Sequence, residues 1–171
     1  MKTSPKWTVL HNLDFEEVEV FLNSLTGVER KYISNILESP ITVDFITGVR
    51  IDNKLVGIAG FVRYFRFFHF SFHIVKSEFQ GRGISKQLTT GLVSYAKEKG
   101  DSFFLASTHW DKSSLAIWLK QGYKIVYEGG DLYYRLVFPL NWRGEVVCKL
   151  LPIICNICFP IIRKLKRVIF R

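Results

Sequence analysis

The chain has 171 residues, room for one domain of ordinary size, and its 48% hydrophobic and 15% aromatic content exclude a disordered or collagen-like protein. The formal charge of +9 is lopsided: in residues 141–171, Arg143, Lys149, Arg163, Lys164, Lys166, Arg167 and Arg171 stand against Glu145 alone, a net +6 that leaves +3 for the rest. Basicity therefore belongs to the C-terminal stretch, where nucleic acid, anionic lipid or an acidic partner are all compatible with it.

Cys148, Cys155 and Cys158 lie in that same stretch, and Met1 to Pro5 lead into no apolar run of signal-peptide type, so a reducing, cytoplasmic location is expected. Cys155-Asn156-Ile157-Cys158 has CxxC spacing, but a structural zinc site needs about four ligands and no second pair exists, so no metal is expected.

Trp7 to Leu10 reads as a short strand. Asn12 or Asp14 can cap a helix on which Phe15, Val18, Phe21, Leu22 and Leu25 recur at helical spacing, ending at Gly27. A second helix, residues 28–37, stops at Ser39-Pro40. Residues 41–51 and 55–65, rich in β-branched and aromatic residues and split by Asp52-Asn53-Lys54, read as a hairpin. A third strand, about 67–75, alternates Phe68, Phe70, Phe72 and Ile74 with His69, Ser71, His73 and Val75, and its less apolar face is expected to meet a polar substrate. Ile84, Leu88, Leu92, Val93 and Ala96 mark a helix that closes at Lys97-Glu98-Lys99-Gly100. A buried strand at 103–106 follows, then a helix capped by Asp111 and closed by Gly122, then a hairpin of 123–127 and 132–138. The order gives an α/β (α+β) domain over residues 1–140, with about seven strands and about four helices, and an apolar, basic tail over 141–171.

The segment Val75-Lys76-Ser77-Glu78-Phe79-Gln80-Gly81-Arg82-Gly83-Ile84-Ser85 joins a strand to a helix. A helix N-terminus offers unpaired amides and partial positive charge to an anion, and glycine lets the backbone come close. The sequence fits neither GxGxxG nor GxxxxGK[ST], so this is not one of the two common nucleotide loops.

In this order of elements the chain resembles the GCN5-related N-acetyltransferase (GNAT) superfamily, whose Q/R-x-x-G-x-G/A loop after a strand ending in Val binds the pyrophosphate of acetyl-CoA. Gln80, Gly83 and Ser85 take the three places, with Ser for the final Gly/Ala. The family's later Asn-x-x-Ala-x-x-x-Tyr-x-Lys-x-Gly-Phe pattern is answered by Asp111, Ser114, Trp118, Lys120, Gly122 and Tyr123. The resemblance implies a mixed central sheet and acetyl-CoA (or another acyl-CoA) as co-substrate. It also implies that the backbone of His73, Ile74 and Val75 pairs with the pantetheine arm, while amides from Gly81 through Arg82, Gly83, Ile84 and Ser85 to Lys86 hold the diphosphate. It further implies direct attack of a primary amine on the thioester, with no covalent enzyme intermediate; Asp111 and Trp118 fall at positions that line the donor site.

Trp118 stands where relatives often have a Tyr that protonates the thiolate, and an indole N–H does not serve that purpose. Nor does residues 103–107 carry a Glu base. His73, His69 and His109 are the candidate bases because imidazole titrates near neutrality, and Tyr123 or Tyr127 the candidate acids. The runner-up reading is a non-catalytic acyl-CoA-binding or membrane-adaptor module of the same fold.

In the tail, residues 146–162 are largely apolar but short for a membrane span and broken by Pro152 and Pro160. Ile161, Ile162, Leu165, Val168 and Ile169 share a helical face opposite Arg163, Lys164, Lys166, Arg167 and Arg171, the pattern of a helix lying on an anionic membrane surface. Packing on the domain or homodimerisation is the alternative; nucleic acid is a distant third. The amine acceptor, whether a small molecule, a lipid headgroup or a protein, is not specified by these residues.

Overall fold

A computed structural model describes residues 7–11, 13–25, 42–64, 68–109, 112–129 and 133–153, which fall into two compact units, 1–99 and 100–171. Among them are seven strands. The helix expected over 28–37 lies outside the described residues.

In the first unit β1 (Trp7–His11), β2 (Thr42–Ile51), β3 (Lys54–Tyr64) and β4 (Phe68–Val75) pair in chain order, each antiparallel to the next. Asp52 and Asn53, at φ 50° and 63°, form the two-residue turn between β2 and β3, a conformation that these short polar side chains tolerate better than most and that suits the right-handed strand twist. The two sheet faces carry different helices. Helix α1 (Phe15–Asn23) covers one: Val18, Phe21 and Leu25 close over Ile46, Ile58, Val62, Phe72 and Ile74 in a buried cluster. An ion pair between Glu17 and Arg50 ties this helix to β2.

Helix α2 (Ile84–Glu98) covers the other face, its Leu88, Leu92 and Ala96 fully buried. Close approach is possible because residue 91 is Gly: a Cβ there would lie 2.8 Å from Thr47 Oγ1. At its far end Tyr95 stacks on Phe45 at 4.1 Å and leans on Phe61 at 5.9 Å.

In the second unit β7 (Tyr133–Pro139) pairs antiparallel with both β5 (Phe103–His109) and β6 (Lys124–Gly129). Helix α3 (Lys112–Lys120) ends where the Tyr123 amide donates to Trp118 O (3.2 Å) and the Gly122 amide to Leu119 O (3.0 Å), with Gly122 at φ 101°. These two bonds are the Schellman pattern, and the Trp118–Tyr123 ring contact at 4.7 Å is the apolar clasp that accompanies it.

A further helix, α4, spans residues 142–153. Asn141 Oδ1 accepts the amides of Arg143 (3.0 Å) and Gly144 (3.2 Å), the N-cap arrangement. Its inner face carries Cys148 into a cluster with Val126 and Val137, against which Phe103, Leu105 and Leu151 pack. Residues 142–153, read from the sequence as the start of a separate tail, are thus structurally continuous with the second unit. Among the described residues no helix is long and apolar enough to cross a membrane.

Candidate functional site: a glycine turn at the start of helix α2

Strand β4 hands the chain to α2 through a single 3-10 turn, Ser77–Phe79, and the segment Gln80 to Gly83. The Lys76 amide donates to Val56 O at 3.0 Å, and Val75 lies opposite Gly57. Antiparallel alternation then turns the backbone polar groups of Val75 and His73 away from β3, while those of Ile74 engage it. The Gln80 side-chain amide donates back to Val75 O at 3.1 Å, pinning the head of the turn to the strand end. Of the three strand residues expected to meet pantetheine, Val75 and His73 have suitable backbone direction; the Ile74 side chain is buried in the α1 cluster.

Gly81 and Gly83 both have left-handed backbones, φ 74° and 80°, and Gly83 is the residue before the helix. A Cβ at either would meet nothing within 4 Å, so conformation rather than space calls for glycine. Gly83 O accepts the Lys86 and Gln87 amides at 3.1 and 3.4 Å, starting α2. Gln80, Gly81, Arg82, Gly83 and Lys86 are exposed and Ser85 is half-buried, whereas the Ile84 side chain is buried and anchors the turn, its Cγ2 3.0 Å from where a Cβ on Gly57 would lie. Arg82 donates to Glu78 O at 3.2 Å, with its guanidinium 5.1 Å from the Phe79 ring centre. The result is an exposed, glycine-shaped helix N-terminus with Arg82 and Lys86 in the same segment, a fit for a diphosphate.

His73 is not where the sequence reading put it. The β4 face expected to lie open to substrate is the underside of α2: Ser71 is buried, and His73 Nε2 lies 3.2 Å from Thr89 Oγ1. Thr89 Oγ1 in turn donates to Ser85 O at 3.0 Å. Since the hydroxyl spends its proton on Ser85, it accepts from His73, which fixes the Nε2–H tautomer at this contact. Burial pushes the imidazole down to about 3, so the premise that it titrates near neutrality does not hold for His73. Thr89 was missed by sequence reasoning; its only signal was spacing, one helical turn after Ser85.

Tyr123 is 3% exposed, its ring edge-on to Trp118, Phe104 (5.8 Å) and Phe138 (5.0 Å). Trp118 is half-buried in the same cluster. His109 ends β5, its backbone opposite Tyr133, and Asp111 lies outside the described residues, as does the His69 side chain. Among the described residues no group of three or more His, Cys, Asp or Glu could hold a metal.

With this geometry in place, comparison with known proteins identifies the class. The profile of the acetyltransferase (GNAT) family matches residues 9–123, and the chain belongs to that family. No match is found among curated proteins. The fold is that of solved GNAT structures. The GNAT domain of Streptomyces lividans PAT is 18% identical with a TM-score of 0.63, over 77% of this chain and 89% of that one. An "IAA acetyltransferase" from Bacillus cereus is 19% identical (TM-score 0.61; 79% and 100%). A GNAT acetyltransferase from Elizabethkingia anophelis with acetyl-CoA bound is 18% identical (TM-score 0.60; 78% and 98%).

Proposed function

We propose that the protein transfers an acetyl group from acetyl-CoA to a primary amine. The observation that carries this reading is the turn itself: two left-handed glycines at the exposed start of α2, pinned by Gln80 to the end of β4. The family match and the acetyl-CoA found in the Elizabethkingia relative support it. Acetyl-CoA supplies an activated acyl carbon and a thiolate leaving group. The chain's own residues would hold and orient it: first-turn amides and Arg82 would meet the diphosphate, and the Val75 backbone would hydrogen-bond the amide-bearing arm. In the reaction a C–N bond forms and the C–S bond breaks; the amine gives up a proton and the thiolate takes one, leaving amide and free thiol.

His73 is assigned to positioning. Through Thr89 it braces Ser85, the residue whose amide lies in the anion-binding first turn. The candidate base that remains from the sequence is His109, the last residue of β5, and a His109→Ala variant tested in the assay below decides its role. Trp118 and Tyr123 serve first as the clasp that ends α3.

The test is a thiol-release assay with acetyl-CoA over a panel of amino sugars, amino acids, aminolipids and peptides. Turnover with at least one amine class supports the assignment; tight acetyl-CoA binding without turnover on any would favour a binding module instead.

A further inference from the structure

Helix α4 has two apolar faces, and only the inner one is accounted for. Trp142, Val146, Leu150 and Ile153 are 71%, 43%, 49% and 57% exposed. At about 100° per residue they fall within one narrow stripe, roughly opposite the face that carries Cys148 and Leu151 into the core. The flanks are basic: Arg143 borders one side and Lys149 the other, both exposed. Arg143 lies 5.5 Å from the Trp142 ring centre. The helix's single acid, Glu145, is turned aside and paired with Lys124 of β6. The sequence that continues from α4 adds Arg163, Lys164, Lys166, Arg167 and Arg171 and no acid.

We infer that the outward face of α4 is a docking surface for an anionic membrane. A protein partner of ordinary composition would be matched by a mixed-charge rim, and a second copy would bring a rim of the same positive sign against this one. A lipid headgroup layer instead supplies a continuous negative surface for Arg143 and Lys149, while the stripe enters the boundary region, with Trp142 suited to the interface. The buried inner face and the Asn141 cap hold α4 in place, so the stripe is presented without first having to fold on the lipid.

The experiment is co-sedimentation of the full chain with vesicles of phosphatidylcholine alone or with about 30% phosphatidylglycerol, in low and high salt. The expected result is binding to the anionic vesicles only, weakened by salt, and about tenfold weaker in a Trp142→Ser/Leu150→Ser double variant whose melting temperature is unchanged. Equal binding of the variant, or no binding by the wild type, overturns the inference. So does light scattering that shows a wild-type dimer dissolved by the same double variant with no vesicle binding by either, which would assign the stripe to a second copy. Acetyl-CoA binding measured on the same variants is expected to be unchanged, so failure here is separable from failure of the acetyl-transfer reading.

Discussion

At the scale of single residues, Gly83 carries the sharpest expectation. Its φ of 80° and the open space around its Cβ position mean that a side chain there is penalised by conformation alone, about 1–2 kcal/mol. Gly83→Val should therefore lower stability only modestly yet raise the acetyl-CoA KM at least about tenfold, because the first-turn amides no longer converge. Steady-state kinetics beside a thermal melt checks both halves. The His73 imidazole gives a second expectation. Its pKa is about 3 in the fold against 6.5 when unfolded, so between those values the unfolded chain binds the extra proton. This contribution is whole above about pH 6.5 and is lost as pH falls toward 3, at up to about 1.4 kcal/mol per pH unit. A His73→Gln variant should show a flatter fall in melting temperature from pH 7 to 4 than the wild type. If His73 positions Ser85, Thr89→Val should raise the acetyl-CoA KM with little change in kcat. A fall in kcat at unchanged KM in both variants would instead return His73 to the chemistry.

At the scale of elements, α2 depends on one small residue and α4 on one cap. Gly91→Val drives methyl groups into Thr47 and should cost about 1–3 kcal/mol by overpacking. Asn141→Ala removes the acceptor for two amides and should cost about 0.5–2 kcal/mol, both read by denaturant melts. Most elements were legible because their signals are local. Periodicity gave α1 and α2, and Asp52-Asn53 marked the hairpin turn. Helix α4 is hidden in the sequence because Trp142, Val146, Leu150 and Ile153 on one side and Val147, Cys148 and Leu151 on the other blur into a single apolar run. Only contact with β6 and β7 separates the two faces. Likewise the alternation on β4 correctly set His73 and Ser71 on one face, but nothing local says that a helix 16 residues on covers it, with Thr89 the partner of His73. The left-handed glycine turn was legible because its glycines and the strand-to-helix order are both written within a dozen residues. The Lys120-Gln121-Gly122-Tyr123 stretch was legible as a family signature, yet what it does physically, ending α3 and clasping Trp118, needed the hydrogen bonds.

At the scale of the whole molecule, the chain combines a GNAT fold and an exposed glycine turn with a strongly basic C-terminal stretch, whose first helix packs within the second unit with its apolar stripe outward. The donor end of the chemistry is the better specified, since backbone geometry encodes recognition of a diphosphate, while an amine acceptor is chosen by side chains that neither periodicity nor motif reveals. The acceptor class is therefore read by the amine screen. The most direct trial of the central claim is calorimetric titration of acetyl-CoA into the wild type and the Gly83→Val variant. The expected result is saturable binding by the wild type and binding at least about tenfold weaker in the variant, which still melts cooperatively. Absence of wild-type binding, or equal binding by the two proteins, would contradict it.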